Sequence, residues 1–177
     1  GQSQPGDRNR TTRQARQTAS TPQARQARGD SREMKKKMKE LVQSLPSNNL
    51  QEHSYLVVDF SDFDSFKSII DEYLSERNVD ILINNTQGVP VGNSSSKSID
   101  DYQNAFDILF KCVVYTSSIA LNKMKENGWG RIINLTSISV KEPLNYLVLS
   151  NSIRAAVVTW GKSLSVDLAP FGITVNS

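Results

Sequence analysis

Short runs of consecutive apolar residues alternate along this chain with longer stretches in which apolar residues recur every three or four positions. Continuous short runs are typical of strands buried on both faces of a parallel sheet. The longer spacing is typical of helices that pack through one face. The pattern predicts strands at 55–59, 79–84, 132–135 and 173–176, and helices at 34–45, 63–74, 101–127 and 145–168.

This alternation of strands and helices predicts an α/β fold. Because each strand is followed by a helix before the next strand, the strands are expected to lie parallel, joined by right-handed crossovers. We therefore predict a doubly wound parallel sheet with helices on both faces. Ser61 and Asp64 have the spacing of a capping box at the start of the second helix.

The first 33 residues differ in composition from the rest of the chain. Residues 1–32 hold seven Arg and two Asp, a net charge of +5, whereas the remainder has a net charge of −2. Alanine is their only apolar residue type, so they cannot bury enough surface to offset an ordering entropy of about 1–2 kcal/mol per residue. We expect residues 1–33 to be a disordered basic segment, either a nucleic-acid arm or an uninformative tail, and residues 34–177 to fold.

Composition excludes several classes for the folded part. Its net negative charge lacks the basic footprint of a nucleic-acid-binding protein. No run of about 18 apolar residues indicates a membrane span, and no apolar N-terminal stretch indicates a signal peptide. Cys112 is the single cysteine, which excludes an internal disulfide and is compatible with a cytoplasmic location. No spacing indicates a metal site, and the lone His53 is interpreted as a surface residue.

Three motifs resemble the short-chain dehydrogenase/reductase family. They are Gly130-Arg-Ile-Ile-Asn-Leu-Thr-Ser137, Gly172-Ile-Thr-Val-Asn176, and Asn84-Asn-Thr-Gln-Gly88, which is similar to the family's Asn-Asn-Ala-Gly. The resemblance covers about residues 34–177 and is greatest to the branch that resembles 3-oxoacyl-carrier-protein reductases. It implies a Rossmann-like fold, NADP or NAD as cofactor, and hydride transfer between the nicotinamide and a small carbonyl or alcohol.

Set against the family, the chain resembles a fragment. We expect it to lack an intact first βαβ unit with its glycine-rich phosphate loop, and also the C-terminal lid and last strand. Residues 1–33 carry seven Arg and no Lys, whereas residues 34–177 carry three Arg and eleven Lys. One hypothesis is out-of-frame translation, because codons for Ser3 to Arg8 can be chosen whose adjacent frame reads Ala-Ser-Arg-Gly-Ile-Gly, the family's phosphate turn.

The family's catalytic positions are largely replaced. Ser137 occupies the serine position, where it either donates to the substrate oxygen or satisfies the backbone at a strand end. Leu109 stands at the asparagine position and is interpreted as a core residue. Ser150 stands at the tyrosine position and is a poor acid, since an alkyl hydroxyl is far more basic than a phenol. Arg154 stands at the lysine position, where it either holds ribose hydroxyls or pairs with a carboxylate.

Tyr146 is a candidate substitute acid if the helix already includes it, because it would then share a face with Ser150 and Arg154. The alternative that we favour places Tyr146 in the loop before the helix. The resemblance also implies cofactor contacts at the ends of two strands. These positions are Asp59, Phe60, Asn85 and Gly88, together with Arg154.

Capping of the next helix is an equal alternative for Asp59, and a simple turn is one for Gly88. Gln87 departs from the family pattern and is expected to crowd that turn. Cys112 is interpreted as a core or interface residue, since it lies among apolar neighbours.

The helices predicted at 101–127 and 145–169 correspond to those that form the family's four-helix interface, so the resemblance implies a homodimer or homotetramer. The first functional hypothesis is an NAD(P)-dependent short-chain oxidoreductase, impaired in this chain. The second is a non-catalytic fragment, or a binding or oligomerisation subunit.

Overall fold

A computed structural model describes the backbone of residues 22–48 and 51–177, and the side chains of residue 32 and the later described residues. The chain divides into two compact units, residues 1–57 and 58–177. The first unit contains helix α1, Pro22–Ser44, which ends before Pro46 as predicted. The helix begins earlier than predicted and includes residues 22–33, part of the segment for which we expected disorder. Residues 1–21 lie outside the described residues.

The early start of α1 has a plain physical reason. Apolar spacing marks only the residues that would pack, whereas Ala, Arg and Gln favour a helix through their intrinsic propensity. Lys37 and Lys36 also lie one turn from Glu33 and Glu40, at 2.8 and 3.9 Å. Each exposed ion pair of this kind stabilises a helix by only about 0.2–0.5 kcal/mol.

The second unit contains a three-stranded parallel sheet in the order β1–β2–β3. The strands are β1 Ile81–Asn84, β2 Gly130–Asn134 and β3 Ile173–Asn176. In the register, Ile132 of β2 lies opposite Leu82 of β1 and Val175 of β3. The α/β class and the parallel sheet were both predicted correctly.

The fourth predicted strand, 55–59, was wrong, because the structure gives no strand between residues 51 and 80. Tyr55–Asp59 has the composition of a buried strand. A strand forms only when its N–H and C=O groups pair with a neighbour. The described residues provide this segment with no such neighbour, so it is irregular and leads into a turn at Phe60.

The second unit contains four α-helices, of which the third and fourth pack on the sheet, while the first packs on the third and the second on the fourth. They are α2 Phe63–Ser75, α3 Ile99–Phe106, α4 Cys112–Asn127 and α5 Val148–Leu168. The buried core joins α4, α5 and the sheet through Ala120, Leu121, Met124, Ile132, Leu168 and Ile173. On the opposite side of the sheet, Ile81 and Ile83 are 57% and 56% exposed. The prediction placed helices on both faces of the sheet, but within this unit they cover one face only.

Helices α3 and α4 are continuous through a π-helical segment, Asp107–Lys111. Its i to i−5 pattern is completed by the Cys112 N–H, which donates to the Asp107 carbonyl. Ile108 and Leu109 of this segment are 3% and 2% exposed, so its inner side belongs to the core. Single π turns inside α-helices occur frequently at functional sites.

The continuous helix Ile99–Asn127 is long and apolar enough to cross a membrane, by length and mean hydropathy alone. This differs from the sequence analysis, which looked for an unbroken apolar run of about 18 residues. Core helices of soluble proteins meet the same criterion. Here Leu121 and Met124 of this helix belong to the packed core against the sheet, so the helix is weak support for a membrane span.

Candidate functional site

The predicted catalytic residues lie on two neighbouring elements, the loop after β2 and helix α5. Ligands of open α/β sheets usually bind beyond the carboxyl ends of the strands. Ser137 lies in the loop after β2, while Ser150 and Arg154 lie on α5. Arg154 Nη1 donates to the Leu135 carbonyl at 2.6 Å, which ties α5 to the loop after β2. This contact brings the Arg154 guanidinium close to the segment that carries Ser137.

Ser137 fills the backbone-satisfying role that was considered for it. It is the N-cap of a 3₁₀ turn, Ile138–Val140. Its Oγ accepts hydrogen bonds from the Ser139 N–H at 3.1 Å and from the Ser139 hydroxyl at 2.8 Å. A hydroxyl can accept two hydrogen bonds and donate one. The backbone-satisfying role is therefore present, and the capacity that remains to Ser137 is donation.

Ser150 is half-buried in the first turn of α5. Arg154 follows it by four residues, so both side chains lie on one helical face. The helix begins at Val148, which leaves Tyr146 in the preceding loop with 53% of its surface exposed. The preferred interpretation of Tyr146 is confirmed, and it does not share the face of Ser150 and Arg154.

Arg154 is held by a backbone carbonyl rather than by a carboxylate. In the described part of the chain no carboxylate lies within ion-pair distance of its guanidinium, so the predicted alternative of a helix-surface ion pair is not observed. Burial lowers the pKa of Arg154. An arginine still keeps its proton under such conditions, so the site contains a half-buried, unneutralised cation.

Leu109 and Cys112 are confirmed as core residues. Leu109 is 2% exposed and Cys112 is 1% exposed. Burial, with a smaller contribution from the negative charge of Asp107, raises the pKa of the Cys112 thiol to about 11. Its Sγ lies 3.7 Å from the Phe60 carbonyl. The thiol is therefore protonated at neutral pH and is not a nucleophile.

Asp59 does not cap the next helix, the alternative considered for it, but closes a local turn through Ser61. Its carboxylate accepts hydrogen bonds from the Ser61 N–H at 2.9 Å and the Ser61 hydroxyl at 2.6 Å. The N-cap of α2 is Asp62, which accepts from the Ser65 N–H, so the predicted capping box beginning at Ser61 was wrong. Asp59 remains exposed and Phe60 is half-buried beside Phe66, with ring centroids 5.3 Å apart.

Asn85 and Gly88 follow β1 and are both exposed. A Cβ atom built at Gly88 would have no atom within 4 Å apart from those of its chain neighbours Gln87 and Val89. His53 is also exposed, as predicted, and its Nε2 lies 2.9 Å from the Pro46 carbonyl. The donors of Arg154 and the open chain at Asn85 and Gly88 fit the hydroxyls of a nucleotide ribose. The described residues provide no glycine-rich helix start for its pyrophosphate.

A buried polar cluster beneath the site was missed by the sequence analysis. Asn84 and Asn134 end β1 and β2 at matched positions of the register. The Asn84 amide donates to the Asn134 carbonyl oxygen at 2.9 Å and to the Ser117 hydroxyl at 3.0 Å. The available signal was an asparagine closing each of two apolar strand runs, because polar residues buried at paired positions must bond to one another.

A cavity of about 370 Å³ lies beside Ser137. Its size is at the lower end of the range of roughly 300–1,000 Å³ that is common for small-molecule sites. All of its lining residues are uncharged: Ser94, Ser139, Val140, Pro143, Leu144, Asn145, Val148, Asn151, Ser152 and Ala155. Sequence patterns could not find this cavity, since it forms between two loops and the start of α5.

Comparison with known proteins agrees with this geometry. The sequence model of the short chain dehydrogenase family matches residues 18–177, which extends the predicted match toward the N-terminus. The NADPH-dependent reductase BacG of Bacillus subtilis (strain 168) is 36% identical over 100 residues, 55% of this chain and 38% of that protein. An uncharacterized oxidoreductase of Thermotoga maritima is 31% identical over 99 residues, 56% of this chain and 39% of that protein.

Solved structures show the same fold. YwfH, an NADPH dependent reductase involved in bacilysin biosynthesis, is 31% identical with a TM-score of 0.64 over 68% of this chain and 48% of its own. A short-chain dehydrogenase from Streptomyces avermitilis, 22% identical, has a TM-score of 0.69 over 78% of this chain and 50% of its own. The chain thus spans about two fifths of the curated relatives named here and about half of these solved structures.

Proposed function

The chain belongs to the short-chain dehydrogenase family, and on this premise we propose that it functions as an NAD(P)-dependent oxidoreductase. The reaction class is hydride transfer between a nicotinamide and a small carbonyl or alcohol, with a 3-oxoacyl-type carbonyl as the first candidate. The observation that carries the proposal is the hydrogen bond from Arg154 Nη1 to the Leu135 carbonyl at 2.6 Å, which ties the helix of Ser150 and Arg154 to the loop that carries Ser137. NADP(H) is the proposed cofactor, supported by the relatives BacG and YwfH.

Each residue has a proposed role that follows from its contacts. Ser137, whose two acceptor positions are occupied, donates its hydroxyl hydrogen to the substrate oxygen. Arg154 presents positive charge to a ribose hydroxyl or to the developing oxyanion, because only one of its N–H groups has an acceptor among the described residues, the Leu135 carbonyl. The bound nicotinamide supplies the hydride. Asp59, Phe60, Asn85 and Gly88 are the further proposed cofactor contacts.

Neither Ser150 nor Arg154 is an efficient proton donor to the substrate oxygen. Ser150 is shorter and far more basic than the phenol found at its position in the family, and Arg154 does not release a proton at ordinary pH. A carbonyl oxygen at this site would be polarised by donors but protonated from solvent. General acid catalysis contributes about 10²–10⁴-fold, so we expect turnover slower by about this factor than in a member that keeps the tyrosine.

The second candidate function is a non-catalytic subunit that pairs with another copy through α3, α4 and α5. The observation that favours it is apolar surface on these helices: Val166 is 74% exposed and Phe106 39% exposed. Phe106 stacks on Phe110, and Phe110 meets Trp160 edge to face, with centroids 5.2 and 6.2 Å apart. Exposed aromatic clusters of this kind are enriched at protein interfaces. We propose a homodimer or homotetramer through this surface.

NADPH titration followed by the fluorescence of Trp129 and Trp160 tests the first function. We expect saturable binding that weakens in Arg154→Gln but not in Arg131→Gln. Arg131 is a suitable control because it also donates to backbone carbonyls, those of Gly130 and Gly172, at 2.7 and 3.0 Å. Absence of binding at millimolar NADPH would refute cofactor use by this chain. Light scattering of Phe106→Glu beside the wild type tests the second function, and an unchanged mass would contradict the proposed interface.

A further inference from the structure

The group around Arg154 consists of hydrogen-bond donors that lack an anionic partner. Arg154 carries five N–H groups and no acceptor. One contact, from Nη1 to the Leu135 carbonyl at 2.6 Å, fixes the guanidinium against the loop after β2. No carboxylate pairs with it among residues 32–48 and 51–177. A half-buried cation without a counter-charge favours an anionic ligand, because burial is costly for an unpaired charge.

Ser137 strengthens this preference. Both acceptor positions of its Oγ are occupied by donors from Ser139, whose own side chain is fully buried. The remaining function of Ser137 is to donate its hydroxyl hydrogen. A ligand that contacts both Ser137 and Arg154 must therefore offer hydrogen-bond acceptors, and it needs no hydrogen-bond donor there.

Ser150 contributes a third hydroxyl one helical turn before Arg154. The structure records no hydrogen bond from its side chain to any described residue, so its donor is available to a ligand. A serine is also much shorter than the tyrosine that the resemblance places at this position.

We propose that Ser137, Ser150 and Arg154 bind the carboxylate of a small organic acid. A planar guanidinium matches the two oxygens of a carboxylate, and such charge-assisted pairs are roughly twice as strong as neutral ones. The inference rests on the proposed function for the place of the site and goes beyond it in naming the group that binds there.

The neighbouring cavity lies on a different face of α5. It has a volume of about 370 Å³ and is lined on this helix by Val148, Asn151, Ser152 and Ala155. Ser150 and Arg154 stand two residues out of step with Val148 and Ser152, so their side chains leave the helix on another side. The carboxylate bound by Ser137, Ser150 and Arg154 therefore lies outside this cavity.

Calorimetric titration with acetoacetate and with its uncharged methyl ester, at fixed ionic strength and pH 7 and without NADPH, tests the proposal. We expect saturable binding of acetoacetate and binding of the ester weaker by at least about tenfold, since a hydrogen bond to a charged group contributes about 1.5–3 kcal/mol. Arg154→Gln is expected to lose a similar factor, whereas the control Arg131→Gln is expected to bind as the wild type does. Ser150→Ala is expected to weaken acetoacetate binding by about threefold to tenfold.

Equal affinity for acetoacetate and its ester would overturn the proposal, as would unchanged acetoacetate binding in a folded Arg154→Gln variant. If circular dichroism shows that Arg154→Gln does not fold, Ser150→Ala decides, and unchanged binding there overturns the proposal. Inorganic phosphate that binds more tightly than acetoacetate would also overturn it, in favour of a phosphate ligand. Because NADPH binding is measured separately, failure of the carboxylate site and failure of the proposed oxidoreductase give different results.

Discussion

Gly161 is the position where a single methyl group should disturb the support of the site. It lies buried in α5, beside the end of β2. A Cβ built there would be 3.1 Å from Asn134 Nδ2, 3.5 Å from Ser177 Oγ and 3.6 Å from Val175 Cγ1. The first distance is shorter than an ordinary van der Waals contact, so Gly161→Ala requires the Asn134 amide to move.

Two opposing effects decide the sign. Replacing glycine by alanine inside a helix stabilises by about 0.5–1 kcal/mol through propensity. Asn134, however, is 2% exposed, and its carbonyl oxygen is fixed by the Asn84 amide at 2.9 Å. Moving this amide strains or breaks a buried hydrogen bond, whose loss is worth about 1–3 kcal/mol, and overpacking costs a further 1–3 kcal/mol, roughly. The sum leaves a net destabilisation of at least about 1 kcal/mol.

Urea unfolding followed by tryptophan fluorescence measures this change. With a slope of about 1–3 kcal/mol per molar urea for a small protein, the midpoint should fall by about 0.5–1.5 M. Gly88→Ala is the matched control, because a Cβ there would meet no atom within 4 Å, and it should leave the midpoint unchanged or slightly higher. A Gly161→Ala midpoint equal to or above the wild-type value would refute the argument that the Asn84–Asn134 pair is rigid.

Three further outcomes follow from the same structure. Met124 is 1% exposed in the core, so Met124→Ala should lower the free energy of unfolding by about 2–5 kcal/mol in the same urea assay. A loss below about 1 kcal/mol would mean that neighbouring residues fill the space left by the Met124 side chain. Cys112, 1% exposed with a pKa of about 11, should react with a thiol reagent at pH 8 only after unfolding, and rapid reaction of the native protein would contradict its burial. Asp71 has a lowered pKa through Lys67, at 2.8 Å, and through the Tyr115 hydroxyl. The ionised Asp71 carboxylate therefore stabilises the fold above its unfolded-state pKa, and this stabilisation is lost as pH falls through the lower folded-state pKa. The free energies of unfolding of the wild type and of Asp71→Asn, measured against pH, should converge at low pH. Parallel curves would exclude this role.

The predictions from sequence succeeded where local pattern and tertiary contact agree. β1, β2 and β3 were found because their apolar runs pair with one another and bury one face against α4 and α5. The same composition at 55–59 predicted a strand that does not exist, since pairing depends on a neighbour that composition does not reveal. The start of α1 was placed late for the opposite reason, because helix propensity extends beyond the residues that pack.

The candidate site divides in the same way. Position within the motifs located Ser137, Ser150 and Arg154, and the structure brings them to one end of the sheet. Motifs could not show that Arg154 bonds to the Leu135 carbonyl at 2.6 Å, because that contact joins an α5 side chain to the loop after β2. They also could not show the uncharged cavity, whose walls come from separate loops. Asp62 rather than Ser61 caps α2 for a local reason, since Asp59 has already engaged Ser61.

The support of the site is built from residues that do no chemistry, and this separates its shape from its activity. The Asn84–Asn134 bond holds the ends of β1 and β2 together, and Gly161 lets α5 approach them closely. The π segment keeps its form although Leu109 stands at the asparagine position, because the buried face of Ile108 and Leu109 packs without a polar partner. None of these contacts involves Ser150 or Arg154. Replacement of the family's tyrosine and lysine can therefore change what the site binds and how fast it reacts, while the cleft that receives the ligand stays formed. Under this condition the donors of Ser137, Ser150 and Arg154 can bind a carboxylate without efficient turnover.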